Sequence, residues 1–230
     1  MGTAQRVWPE LGRTLLFSSL VSIGLYAGGV LQNNNYSYSY MLWNLFLAWI
    51  PLVLTVALLR MLRRKRWSSW QGIGLSLAWL LFLPNSFYMV SDLIHLQDEL
   101  RVDVLYDSVM LTSFVLNGLL LGYISLYLFH LELKKRLPRK TARNMVGFVL
   151  LLCSFAIYLG RELRWNSWDV LVNPAGILFD VSDRFLKPMA YPDMFVTTGI
   201  FFLLLAMTYY VLWKVVAVLR RVGPGPGADA

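Results

Sequence analysis

Charge is the commodity this sequence has least of. Of its 230 residues, 15% are Asp, Glu, Lys or Arg and 57% are hydrophobic, whereas soluble domains carry about 25% charged residues. That balance excludes an ordinary water-soluble globule. Cysteine occurs once, as Cys153 inside an apolar run, which excludes an internal disulfide and reads as an inert packing residue. Histidine occurs twice, as His95 and His130, too far apart to form the two-histidine turn of a zinc protease. There is no glycine-rich phosphate loop, no Gly-x-Ser-x-Gly elbow, no internal repeat and no polar stretch long enough to fold alone.

What is present is apolar sequence in long runs. A spanning helix needs about 20 mostly apolar residues, and six runs approach or reach that length: 14–31, 41–59, 70–90, 109–129, 145–160 and 195–218. The expected fold is an all-α, polytopic transmembrane bundle of about six spans. The fifth run is the shortest and has room to begin before Met145 or to continue through Arg161. The first follows Arg6 and Arg13, as a signal peptide would, but it exceeds a usual signal core and "YAGGV" is a poor cleavage site. It reads as a retained span.

The formal charge of +8 does not point to nucleic acid, because the basic residues lie between apolar runs and not on a polar domain. With the N-terminus inside, 16 of the 21 Lys and Arg residues fall on internal segments and 10 of the 13 acids fall outside. The positive-inside rule weighs Lys and Arg in short loops such as "RMLRRKRW" and "LKKRLPRKTAR". Both termini are therefore expected in the cytoplasm: residues 1–13 as a cytoplasmic N-terminus, 14–218 as the membrane domain, and 219–230, with "VGPGPGADA", as a disordered tail. The expected partners are the bilayer and, at the basic loops, anionic headgroups; nucleic acid is not expected, and no protein partner or cofactor is specified. Asn35-Tyr36-Ser37 matches a glycosylation triplet that matters only in a eukaryotic secretory route. The segment 161–194 is the longest outside the spans, and "ILFDVSDRFLKP" fits a short helix in the interface or re-entering between spans.

One stretch, "LFLPNSFYMVSDLIHL" (81–96), begins as membrane sequence and ends in an acid and an imidazole. Asn85, Tyr88, Asp92 and His95 follow at steps of three, four and three, so on a helix they share one face, which Glu99 would continue. Leu81, Ala78 and Gly74 extend that face inward, where small residues let a second helix approach. An acid or amide there must face protein or water, since lipid exposure is expensive. Pro84 removes a hydrogen bond at the Leu80 carbonyl and is expected to open a kink. A second cluster, "GRELRWNSWD" (160–169), emerges on the same side by parity; a continuing helix would put Glu162, Asn166 and Asp169 on one face, with Arg161 pairing Asp169 or Asp92. Trp165 and Trp168 suit the membrane interface.

These two motifs, in this order and topology, resemble the bacterial multi-pass membrane family called domain of unknown function 1361, over about residues 43 to 210. The resemblance implies a bacterial inner-membrane protein and supplies no activity. Asn85, Asp92, His95, Arg161, Arg164, Asn166, Trp168 and Asp169 match its motif letters.

Three functions suit a polar pocket at the outer leaflet. The leading one is a structural or assembly role, with Asp92, His95 and the arginines of "GRELR" as an ion-paired clasp and Asn85, Tyr88, Arg161, Glu162, Arg164, Asn166 and Asp169 as its polar members. The second is an extracytoplasmic-face enzyme acting on a lipid or envelope substrate. It would use His95 and Asp92 as an acid–base pair, or Asp92, His95 and Glu99 as metal ligands. The third is transport of a small solute, which needs a polar path through the inner half; Thr112, Ser113 and Asn117 are thin support for one.

Overall fold

The computed structural model describes residues 3–33, 36–97 and 104–222, with side chains for all of these except 3–8, 33, 95–97 and 222. Among the described residues there is no strand. The helices are α1 (Thr3–Asn33), α2 (Tyr40–Met61), α3 (Trp70–Tyr88), α4 (Val104–Lys134), α5 (Arg139–Glu162), α6 (Asp169–Val172), α7 (Pro174–Leu186) and α8 (Pro192–Val222), with 3-10 turns at Ser91–Gln97 and Pro188–Ala190. Among the described residues six helices are long and apolar enough to cross a membrane: Pro9–Gln32, Tyr40–Met61, Trp70–Ile94, Val104–Lys134, Arg139–Glu162 and Pro192–Arg221. The chain is a multi-pass membrane protein.

The helix starts are written in the local sequence. Ser69 caps α3 by accepting the Gly72 amide at 3.2 Å, and Asn173 caps α7 by accepting the Gly176 amide at 3.0 Å. Pro174 and Pro192 open α7 and α8, where a missing amide hydrogen is harmless. The fifth span begins at Arg139, directly after Pro138, six residues before the apolar run does. Its first turns are basic and apolarity alone does not show them.

The bundle is built around α4, which packs against α1, α2, α3 and α5, while α8 packs on α5. Two glycines set how closely α3 lies on α4. A Cβ at Gly118 would stand 2.6 Å from the Ser86 carbonyl oxygen, and one at Gly122 would stand 2.8 Å from the Phe87 ring. The close approach was expected instead at Gly74, but a Cβ there meets nothing within 4 Å. The face that packs is set by α4 and not by α3's own small residues. Polar groups inside the bundle satisfy one another: Trp79 Nε1 donates to Ser125 Oγ at 2.8 Å, and Ser125 shares a 2.8 Å bond with Thr55.

Three expectations change. α3 ends at Tyr88, and Asp92 and His95 lie on the 3-10 turn, so the stripe is not one continuous helix face. α5 stops at Glu162, so Glu162 shares no helix with Asn166 and Asp169. α8 runs to Val222, so residues 219–222 are helical where a disordered tail was expected. Residues 223–230 lie outside the described residues, as do Glu99 and the side chain of His95.

Candidate functional site

The last two turns of α3 carry the first part of the site. Asn85 Nδ2 donates to the Phe82 carbonyl at 3.0 Å and to Ser167 Oγ at 2.8 Å. Ser167 Oγ in turn donates to the Leu81 carbonyl at 2.9 Å. Two carbonyls just before Pro84 are thus held by side chains, that of Phe82 by Asn85 and that of Leu81 by Ser167, and the two side chains are joined across 82 positions. Ser86 Oγ bonds the Ala48 carbonyl of α2 at 3.0 Å, and Ser91 Oγ bonds the Tyr88 carbonyl at 2.7 Å as α3 gives way to the 3-10 turn. That turn carries Asp92, which is 4% exposed. Asn44 of α2 donates to Asp92 Oδ2 at 2.9 Å, and a hydrogen bond to a carboxylate in such a place is worth about 1.5–3 kcal/mol.

The second part follows α5. Leu163 closes the helix through Leu159 at 3.1 Å, and the Trp165 amide reaches back to the same carbonyl at 3.3 Å. Arg164 between them has φ 58°, a left-handed conformation that costs a non-glycine residue about 1–2 kcal/mol. The next turn is held by Asp169, whose Oδ2 accepts the Asn166 amide at 2.6 Å and the Asn166 side chain at 3.3 Å. Trp165 Nε1 donates to Asp180 Oδ2 at 2.8 Å. Trp168 meets Trp43 of α2 edge-on, with centroids 6.4 Å apart.

The two parts meet. The Tyr88 ring lies close on Gly160, where a Cβ would be 3.1 Å from it and the ring would have to give way. Tyr88 stands within electrostatic reach of Asp92, Arg161 and Arg164. Between α2, α3, α5 and the 163–177 segment lies a pocket of about 430 Å³, to whose lining Asn44, Asn85, Tyr88, Asp92 and Asn166 bring polar groups and Leu47, Leu81, Leu159, Val170 and Ile177 bring apolar ones; Tyr40, Trp43 and Trp165 supply rings. Arg161, Glu162, Arg164 and Asp169 do not line it. Arg161 pairs with its neighbour Glu162 at 3.4 Å, both partly exposed, where a pair to Asp169 or Asp92 was expected. Asp169 is committed to Asn166. Among the described residues no group of three His, Cys, Asp or Glu side chains stands where it would hold a metal ion.

Sequence reasoning missed the brace behind the pocket. Arg184 of α7, 8% exposed, donates through Nε to the Tyr158 hydroxyl at 3.1 Å and through Nη1 to the Asp180 carbonyl at 2.9 Å, and its guanidinium lies 4.8 Å from the Tyr191 ring centroid. It also faces the Asp180 carboxylate at 3.6 Å, an i,i+4 spacing visible in "ILFDVSDRFLKP". Asp183 accepts from Lys187 at 2.6 Å and from Tyr191 at 2.7 Å. The Lys187 ammonium and then the Tyr191 hydroxyl hold its carboxyl below the usual carboxylate range. Asn44 and Ser167 were also missed; Asn44 is an amide inside an apolar span, which is the kind of residue that marks a functional position.

No curated protein and no solved structure matches the chain. One family does, the one described as protein of unknown function (DUF1361), over residues 43–208. Those bounds take in the pocket lining apart from Tyr40, the Arg184 brace, three of the six long helices whole and the larger part of two more, so the chain belongs to that family.

Proposed function

We propose that this protein has a structural or assembly role in the membrane, exercised by holding the headgroup of a zwitterionic lipid or lipid-like amphiphile in the pocket between α2, α3 and the 163–177 segment. The observation that carries the reading is the composition of the wall. A carboxylate, Asp92, stands with the rings of Tyr40, Trp43, Tyr88 and Trp165 above an apolar floor. Rings and a carboxylate together attract an ammonium group, by about 0.5–2 kcal/mol for the cation–π part alone. Arg161 and Arg164 lie outside the pocket lining but within electrostatic reach of Tyr88 on its wall, so a phosphate reaching past the rim would meet their charge. The volume suits a small ligand.

The strained backbone at Arg164 favours a binding role for that corner, since such conformations persist where the surroundings impose them and cluster at ligand clamps. Holding is favoured over conducting by the packing beneath the pocket. Trp79, Leu83, Phe87, Leu121 and Leu126 are 0–1% exposed there, and the nearby polar groups bond each other.

We infer that the pocket end faces away from the cytoplasm of a bacterial inner membrane. The basic loops at 60–66 and 134–143 lie at the other ends of the same helices, and lysine and arginine in short loops stay inside.

The test is native mass spectrometry of the protein extracted in a mild detergent, with bound phosphatidylethanolamine as the readout. The parent is expected to retain the lipid. Asp92→Asn and Arg164→Gln are each expected to lower occupancy about tenfold, the size of a lost charged hydrogen bond. Replacing the exposed Arg164 is expected to keep the unfolding temperature, whereas Asp92→Asn also weakens the bond from Asn44 and lowers that temperature. Equal occupancy in parent and both variants overturns the reading.

A further inference from the structure

The opposite end of the bundle carries a second cavity, built differently. Trp49 Nε1 of α2 donates to Ser19 Oγ of α1 at 3.1 Å. At the same level Asn117 of α4 reaches Ser22 Oγ at 2.8 Å. These bonds pin α1 to α2 and α4. Below them α1 and α2 part, leaving a crevice of about 320 Å³ lined by Leu11, Leu15, Leu52, Val53 and Val56 and ending at Arg60. Gly12 lies on its wall, and a Cβ there meets nothing within 4 Å.

The crevice has one polar end and one apolar body. Arg60 is exposed at its mouth, beside the exposed run Arg63, Arg64, Lys65 and Arg66. From Trp49 to Arg60 the helix rises about 16 Å, close to half of the roughly 30 Å hydrocarbon core. A slot one leaflet deep, apolar along its length and cationic at its rim, matches one acyl chain with a phosphate above it. We infer that the α1–α2 crevice binds an anionic phospholipid, its chain between Leu15 and Val53 and its phosphate at Arg60. This goes beyond the headgroup pocket, does not rest on it, and asks for an anionic lipid, not a zwitterionic one, in the opposite leaflet.

Trp49 is a built-in reporter, because bromine on an acyl chain quenches only a ring it touches. Full-length protein is reconstituted in phosphatidylcholine vesicles carrying either brominated phosphatidylglycerol or brominated phosphatidylcholine. The Trp49 signal is taken as the difference between parent and Trp49→Phe. The anionic lipid is expected to be preferred about fivefold, the effect of one basic residue near an anionic headgroup. Arg60→Gln is expected to bring the preference to parity while quenching persists. Gly12→Leu, which has room to fold, is expected to fill the slot and weaken quenching by both lipids. Equal quenching by the two lipids in the parent, a preference that survives Arg60→Gln, or an unquenched Trp49 with copies of the chain cross-linked through α1 would each overturn the inference.

Discussion

Asn85 and Ser167 are joined side chain to side chain at 2.8 Å, and Ser167 passes the bond on to the Leu81 carbonyl at 2.9 Å. This pair fastens the segment after α5 to the end of α3, so it shapes the pocket without needing a ligand. Ser167→Ala is expected to lower stability by about 1 kcal/mol, and a double-mutant cycle with Asn85→Ala to give a coupling of about 0.5–1.5 kcal/mol. Unfolding in mixed micelles measures both. Additive losses would mean the pair is incidental.

Gly122 is one of two glycines, with Gly118, that leave α3 and α4 no room for a side chain between them. With Phe87 and Ser86 side-chain carbons both within 3 Å of a virtual Cβ, Gly122→Ala overpacks the contact and is expected to cost about 1–3 kcal/mol. Gly74→Ala, on the open side of α3, is expected to be neutral or slightly stabilising, since alanine is the better helix former by about 1 kcal/mol. The comparison of the two unfolding free energies checks the packing directly.

Arg164 pays in backbone strain for its position. Arg164→Gly removes the side chain and relieves the left-handed φ, so stability is expected to rise by about 1 kcal/mol while lipid retention falls. Arg164→Gln keeps the strain and loses the charge, so retention is expected to fall without the gain in stability. Thermal unfolding and lipid occupancy, measured on both variants, separate the two effects.

The brace between α7 and the 188–191 turn depends on pH in a defined way. The Asp183 carboxyl is depressed below its ordinary 3.8, through Lys187 first and Tyr191 second, so its contribution is full above that value and is lost as pH falls through the lower, folded-state value. The Lys187 ammonium is raised above its ordinary 10.5 by the same carboxylate, so its contribution is present below 10.5 and lost only above the raised value. Hydrogen exchange of residues 187–191, compared with Asp183→Asn at each pH, is expected to show protection across that whole window and none relative to the variant below it.

Much of the fold was legible because it follows from apolarity and length: each of the six long helices contains or nearly contains one of the six apolar runs. What escaped was the chain between them. No glycine or proline marks the end of α3 at Tyr88, and Met89 and Val90 beyond it are apolar; there the Ser91 hydroxyl donates to the Tyr88 carbonyl, Asn44 of α2 donates to Asp92, and α4 packs on the turn. Arg164 offered no sign of its positive φ, which glycine would have announced. The meeting of "LFLPNSFY" with "GRELRWNS" was expected from parity, but its means were not. The bond runs through Ser167, not an arginine, because the arginines sit where water or headgroups reach them. Tyr158 and Arg184, separated by 26 positions, have no spacing that sequence periodicity exposes.

The central claim is that the Asp92 pocket opens on the side opposite the basic loops, and sidedness tests it most directly. With the buried Cys153 replaced by alanine, single cysteines are placed at Asn166 and at Lys65 and exposed to a membrane-impermeant maleimide in intact cells. Labelling at position 166 before permeabilisation, and at position 65 only after it, is the predicted result. Labelling of both positions from one side, or the reverse order, would contradict the account.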